Sequence, residues 1–199
     1  MRTLIEGEPF EDLSLGVFDR TKWPADWVQH PHCRGPRPVV VAYRRRFVLP
    51  AATTVRLHVS ADERYHLYLD GRRIGQGPER GAPDRWCFET YDVEMAAGAH
   101  VLVARTWWLG PDGPSAWAQM TVRPGFLLAA QNLPAELVNT GRSPWECKPL
   151  GGYEFAPPQM TFATPARIRI DAGRFDWGFE HGQGDGWTPA QTIHQAIGA

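Results

Sequence analysis

The chain has 199 residues and a formal net charge of -1, with Lys and Arg interspersed among Asp and Glu. Lacking a basic stripe, it is not expected to bind nucleic acid or an anionic membrane surface. A chain of this length buries roughly 70% of its unfolded surface and needs no covalent staple. The three cysteines, Cys33, Cys87 and Cys147, are odd in number and widely spaced, which argues against a disulfide framework.

Nine Trp, eighteen Pro and twenty Gly stand out. Gly and Pro between short apolar runs fit a turn-rich β protein and oppose a helical bundle. The tryptophans read first as core and inter-strand packing, and second as platforms for sugar rings. The opening MRTLIEGEPFEDLSLG has neither a basic start nor an apolar h-region, so no secretory signal is expected. No apolar run approaches the ~20 residues a membrane helix needs. A cytoplasmic location is the expectation.

Along the chain, residues 1–38 are predicted irregular, broken at Trp23-Pro24, His30-Pro31, Gly35-Pro36 and Pro38. Val39 to Leu49 forms a β-rich run ended by Pro50. Thr53 to Ala61 alternates, Val55, Leu57 and Val59 against Arg56, His58 and Ser60, as in a sheet with one wet face. Tyr65, Leu67 and Leu69 then alternate with His66, Tyr68 and Asp70, and Asp70-Gly71 supplies the two positive-φ positions of a type I′ hairpin turn. Arg72 to Ile74 begins the return. A Gly/Pro loop (Gly75, Gly77, Pro78, Gly81, Pro83) precedes a strand over Trp86 to Val93.

His100 to Trp108 is the next predicted strand. Trp117 to Val122 and Phe126 to Ala130 follow as a pair joined at Pro124-Gly125. Shorter strands are expected near Glu136–Asn139, Trp145–Lys148 and Ala166–Ile170. After the Gly-rich FEHGQGDGW, Thr188 and Pro189 cap a predicted short helix running from Ala190 to Ile197. The fold class is therefore all-β, an antiparallel jelly-roll sandwich. The expected organisation is an irregular segment over 1–38 packing on the sandwich, the sandwich over 39–175, and a C-terminal extension over 176–199.

The YRRRF strand (Tyr43 to Phe47), the run from Arg56 to Arg64, and Tyr65-His66-Leu67-Tyr68-Leu69-Asp70-Gly71 come in a telling order. They are followed by Gly75-Gln76-Gly77-Pro78 and Tyr91-Asp92-Val93, with Trp23 and Trp27 upstream. In this order they resemble the N-terminal β-sandwich region of bacterial alpha-L-rhamnosidases, most clearly from Trp23 to Phe126. The resemblance implies a galactose-binding-domain-like jelly roll. In that family the sugar is cleaved by carboxylic acids of a separate (α/α) barrel downstream, and no catalytic residue is carried over onto this chain. The implied role is a non-catalytic accessory module of a glycoside hydrolase, with the barrel of the same polypeptide as partner. An autonomous module for rhamnose-containing glycans is the alternative. The chain is read as leading into a further domain beyond Ala199.

Paired carboxylates are the first candidates for chemistry, because glycosidases hold two across the scissile bond. Asp62-Glu63, Glu79, Asp84 and Glu89 are the options, and structural or solvated roles are expected for all of them. His30, His32 and Cys33, with Cys147 and His181, offer metal-ligand types without finger-like spacing, so neither metal nor cofactor is expected. Glu79, Arg80, Arg85 and Trp86 are the loop candidates for carbohydrate contact. Trp107 and Trp108 join them and must face opposite sides of their strand. Domain packing is the plainer reading of those aromatics.

Overall fold

The computed structural model describes residues 1–6, 9–10, 23–33, 38–79, 81, 87–110, 122–156 and 167–193. In chain order the elements are β1 (Arg2–Thr3), β2 (Trp27–Gln29), β3 (Val39–Leu49), β4 (Thr53–Ala61) and β5 (Arg64–Leu69). Next come β6 (Arg72–Gly77), β7 (Glu89–Met95), β8 (Gly98–Trp108), β9 (Phe126–Ala130) and the single helical turn α1 (Ala135–Val138). The chain then adds β10 (Glu146–Pro149), β11 (Tyr153–Ala156), β12 (Arg167–Ile170), β13 (Thr188–Pro189) and β14 (Gln191–Ile193).

Two six-stranded sheets form the sandwich, one ordered β1-β7-β4-β9-β2-β14 and the other β13-β10-β3-β8-β5-β6, while β11 and β12 make a separate hairpin. Every pairing among the described residues is antiparallel. No described helix is long and apolar enough to cross a membrane.

Period-2 patterning sets the core. Val55, Leu57 and Val59 of β4 face Tyr65 and Leu67 of β5 and Leu102 and Ala104 of β8, all completely buried. Each fully buried aliphatic side chain contributes about 1.5–3 kcal/mol. The β5–β6 turn is as the sequence predicts: Asp70 and Gly71 have φ of 51° and 84°, and Leu69 pairs with Arg72. Asp70 also accepts the Val101 N–H at 2.8 Å, which ties the turn to β8.

The structure departs from the sequence reading in four places. The outer face of β4 is not wet, since His58 and Ser60 are buried. The rings of Phe10, Trp23 and Phe88 stand edge-on around His58 at 5.2–6.0 Å. The 1–38 segment is not wholly irregular, because β1 and β2 extend the first sheet. Residues 136–138 are helical rather than extended, with only Asn139 extended: Pro134 leads into one turn, closed by the Asn139 N–H on the Ala135 carbonyl at 3.0 Å.

The fourth is the C-terminal helix. Thr188–Pro189 pairs with β10, and Gln191–Ile193 pairs with β2. Free backbone groups at two sheet edges, with β-branched Thr192 and Ile193, outweigh the helix cap signal, and proline is tolerated at an edge. Residues 194–197 of that expected helix, and 117–121 of an expected strand, lie outside the described residues.

The outer face of the second sheet is covered, among the described residues, by parts of 150–156 and 175–187. Val40, Ala42 and Val103 pack under Leu150 and Phe179, flanked by Tyr153, Phe155, Phe175 and Trp187. Polar contacts fasten this strap. Arg44 and Arg46 both donate to the Gly182 carbonyl, at 2.6 and 2.7 Å, and the Arg44 guanidinium lies 4.2 Å from the centre of the Trp187 ring.

Candidate functional site

A cleft of about 460 Å³ opens at the β5–β6 edge of the sandwich. Its floor follows from strand register. Arg64 of β5 stands opposite Trp107 of β8, and His66 opposite Arg105. With Tyr65 and Leu67 turned into the core, alternation sends Arg64, His66 and Trp107 to the outer face. The Trp107 ring is half-buried and meets the edge of His66 with centroids 5.0 Å apart. Arg105 lies behind them, donating to His66 Nδ1 at 2.6 Å and to the Tyr153 hydroxyl at 3.1 Å.

The rim is built by β6. Tyr91 donates its hydroxyl proton to the Gln76 carbonyl at 2.8 Å and accepts the Gln76 N–H at 3.0 Å. A second buried hydroxyl, that of Tyr65, lies 3.0 Å from it. Gly75 is required here, because a Cβ at that position would sit 2.3 Å from the Tyr91 ring. Arg2 enters from the first sheet and bridges two carboxylates, with Nε 2.5 Å from Glu89 and an Nη 3.8 Å from Glu79. Burial raises the Glu89 carboxyl above its usual range, with Arg2 opposing the shift.

The structure places Glu79 and Trp107 together on this cleft. Trp108 turns to the buried side of β8, 5% exposed, and does not line it. Arg80, Arg85 and Trp86, and also Asp84, lie outside the described residues. The sequence reading missed Arg2, Arg64, His66 and Arg73 as cleft residues. The alternation of β5 carried the signal for Arg64 and His66, but only the β5–β8 register shows that Trp107 joins them.

The remaining candidates serve the fold. Asp62 Oδ2 accepts the Val122 and Arg123 N–H groups at 2.7 and 2.6 Å. Glu63 accepts those of Leu109 and Gly110 at 2.7 and 3.0 Å. The rings of His30 and His32 lie 5.9 Å apart, whereas His181 lies under the Gly71 turn and Cys147 is in the core. Among the described residues no group of three or more His, Cys, Asp or Glu is placed to hold a metal.

Two buried groups, His58 and Asp62, and the half-buried His66 make stability depend on pH. Burial lowers the His58 pKa to about 4. It lowers that of His66 to about 4 as well, with Arg105 and Arg73 adding to the shift. Both rings stay neutral in the fold while the unfolded chain takes up protons below about 6.5. Their contribution is therefore complete above that pH and is lost as pH falls towards 4. Burial raises Asp62 to about 7, so its contribution runs oppositely, present at low pH and lost as pH rises through neutrality. Thermal melts across pH 4.5–8 are expected to show Asp62→Asn steepening the acid-side loss of Tm by about one proton's worth. His66→Gln should flatten the acid side, and neither variant should change the slope above about pH 7.5, where all three groups are deprotonated in both states. Parallel profiles for all three proteins would refute this assignment.

No protein-family profile matches the chain, and no curated protein does. Among solved structures, it is similar to the GH78 family rhamnosidase of Bacillus sp. GL1. The TM-score is 0.74 and the identity 24%, over 87% of this chain and 19% of that one. It is also similar to the alpha-L-rhamnosidase from Dictyoglumus thermophilum, at TM-score 0.61 and 14% identity over 88% and 22% of the two chains. The alfa-L-rhamnosidase from Aspergillus terreus gives 0.57 and 14%, over 86% and 21%. At these identities the likeness is one of fold, and it agrees with the sandwich that the sequence resemblance implied. The chain spans about a fifth of the length of these enzymes.

Proposed function

We propose that this chain serves as an accessory β-sandwich module of an alpha-L-rhamnosidase-like glycoside hydrolase, without hydrolytic activity of its own. Its partner is the catalytic (α/α) barrel that the family resemblance implies. The observation that carries this reading is the match of 87% of the chain, at TM-score 0.74, to 19% of a rhamnosidase. The occupation of the carboxylates supports it. Glu79 and Glu89 turn to the same Arg2 guanidinium, and Asp62 and Glu63 accept backbone N–H groups.

The purified chain is expected to leave an aryl alpha-L-rhamnoside intact over a day. Added to a separately expressed rhamnosidase barrel, it is expected to raise the barrel's Tm through binding linkage. Turnover by the chain alone, lost in Glu89→Gln, would sink the proposal.

A second reading, direct carbohydrate binding, is favoured by one observation: a half-buried Trp107 within a 460 Å³ cleft edged by hydrogen-bonding side chains. Sites of this volume suit small ligands, with an apolar wall and a few polar groups fixing orientation. Titration calorimetry against rhamnose-containing oligosaccharides tests it, and absence of heat across the panel would remove it.

A further inference from the structure

We propose that the cleft at the β5–β6 edge takes an acidic sugar, the uronate of an oligosaccharide, stacking the ring on Trp107 and pairing the carboxylate with Arg64 and Arg73. This rests on the carbohydrate-binding reading and adds the charge of the ligand.

The cleft is lined by three guanidinium groups (Arg2, Arg64, Arg73) and two carboxylates (Glu79, Glu89). Arg2 engages both carboxylates. Among the described residues, no ion pair involves Arg64, Arg73 or the underlying Arg105. Arg105 is instead enclosed by rings, lying 5.3–5.9 Å from the centres of Trp107, Tyr153 and Phe179. Three guanidinium groups with no ion pair among the described residues therefore share one face of two adjacent strands and their neighbour.

Register places them on either side of His66. Arg64 pairs with Trp107 across β5 and β8, Tyr68 pairs with Arg73 across β5 and β6, and His66 lies between on β5. Arg64 and the Tyr68–Arg73 pair lie four residues apart along β5, roughly 13 Å at ~3.3 Å per residue, so the two arginines flank His66 along the strand, and both line the cleft. Beyond burial, Arg105 and Arg73 also hold the His66 ring neutral. A neutral imidazole at the centre of this group hydrogen-bonds a hydroxyl or carboxylate without adding charge.

Guanidinium groups match a carboxylate in two parallel hydrogen bonds, which a hydroxyl cannot reproduce. The cleft volume of about 460 Å³ exceeds what a simple oxyanion fills, and an aromatic wall does nothing for an inorganic anion. A carboxylate carried on a pyranose ring uses both features. The net charge of -1 over the chain makes this a local patch.

The test uses the whole 199-residue chain in titration calorimetry with three probes: trigalacturonic acid, its methyl ester and sodium sulfate. The acid is expected to bind at least about tenfold more tightly than the ester. Arg73→Gln, at an exposed position, and Arg64→Gln should each weaken the acid about tenfold and leave the ester unchanged. Trp107→Ala should weaken acid and ester alike. Raising NaCl from about 50 to about 500 mM should weaken the acid selectively, as the Debye length shrinks several-fold. Equal binding of acid and ester would overturn the acidic-sugar inference while leaving carbohydrate binding intact. Silence from both sugars would overturn both readings. Sulfate binding as tight as the acid, abolished by the same arginine substitutions, would mean an adventitious ion only and would also overturn the proposal.

Discussion

Replacing Phe126 by alanine is expected to destabilise the protein by about 3–5 kcal/mol, the usual cost of removing a buried phenyl group. Phe126 is completely buried at the start of β9, where it pairs with Ala61 of β4 and Val28 of β2. Its ring stacks on Tyr43 at 5.4 Å and meets the edges of Trp145 and Tyr65 at 5.4 and 6.5 Å. It thus joins the two sheets at one point. The gap cannot close cheaply, because its neighbours are pinned: the Trp145 indole N–H donates to the Val138 carbonyl at 2.8 Å, and the Tyr65 hydroxyl sits with Tyr91. Urea unfolding should show a lower midpoint with an unchanged slope. Val48→Ala on the same sandwich, 63% exposed, should stay within about 0.5 kcal/mol of the parent. A Phe126→Ala loss below about 1 kcal/mol would mean that the two sheets do not share this contact.

What could be read from the residues was the part governed by local pattern. The β4 and β5 alternation and the Asp70-Gly71 turn are short-range signals, and the structure keeps them. The failures arose where partners distant in sequence decide. His58 belongs to the outer face by alternation, yet Trp23 and Phe88, from two other parts of the chain, roof it over. Thr188 and Pro189 carry a helix-start signature, but β10 offers an open edge 41 residues upstream at Cys147. No window around Thr188 contains that information.

The candidate site shows the same division. Trp107 and Trp108 were expected on opposite sides, and that follows from strand geometry alone. Which of the two meets the cleft depends on the pairing of Arg64 with Trp107, a register set by the whole β3-β8-β5 stack. Arg2 was invisible as a site residue because its role is made by β1 joining β7, a two-residue strand with no periodicity to detect.

The strap across the second sheet gives the other large expected effect. Lys148 carries an ammonium whose side chain is only 5% exposed, paired with Asp176 at 2.9 Å. The second carboxylate oxygen accepts the Gly151 N–H at 2.7 Å. Burial pushes the Asp176 carboxyl up, but the Gly151 N–H and the Lys148 ammonium outweigh it and hold the group below its usual range. Asp176→Ala therefore leaves a buried ammonium and a backbone donor without their acceptor, and breaking such a pair costs about 3–5 kcal/mol. Asp176 is partly exposed, so a value near 3 kcal/mol is expected at pH 7 once solvent screening is allowed for. Lys148→Met combined with Asp176→Ala should recover much of the loss, because the uncompensated charge is gone. The difference between parent and Asp176→Ala should shrink as pH falls below about 4, where the unfolded carboxyl is already protonated and the folded one follows. Urea titrations of the four proteins in this cycle measure the coupling. Equal stability of all four proteins would show that the strap is held by its aromatic contacts with Val40, Ala42 and Val103, with the ion pair contributing nothing.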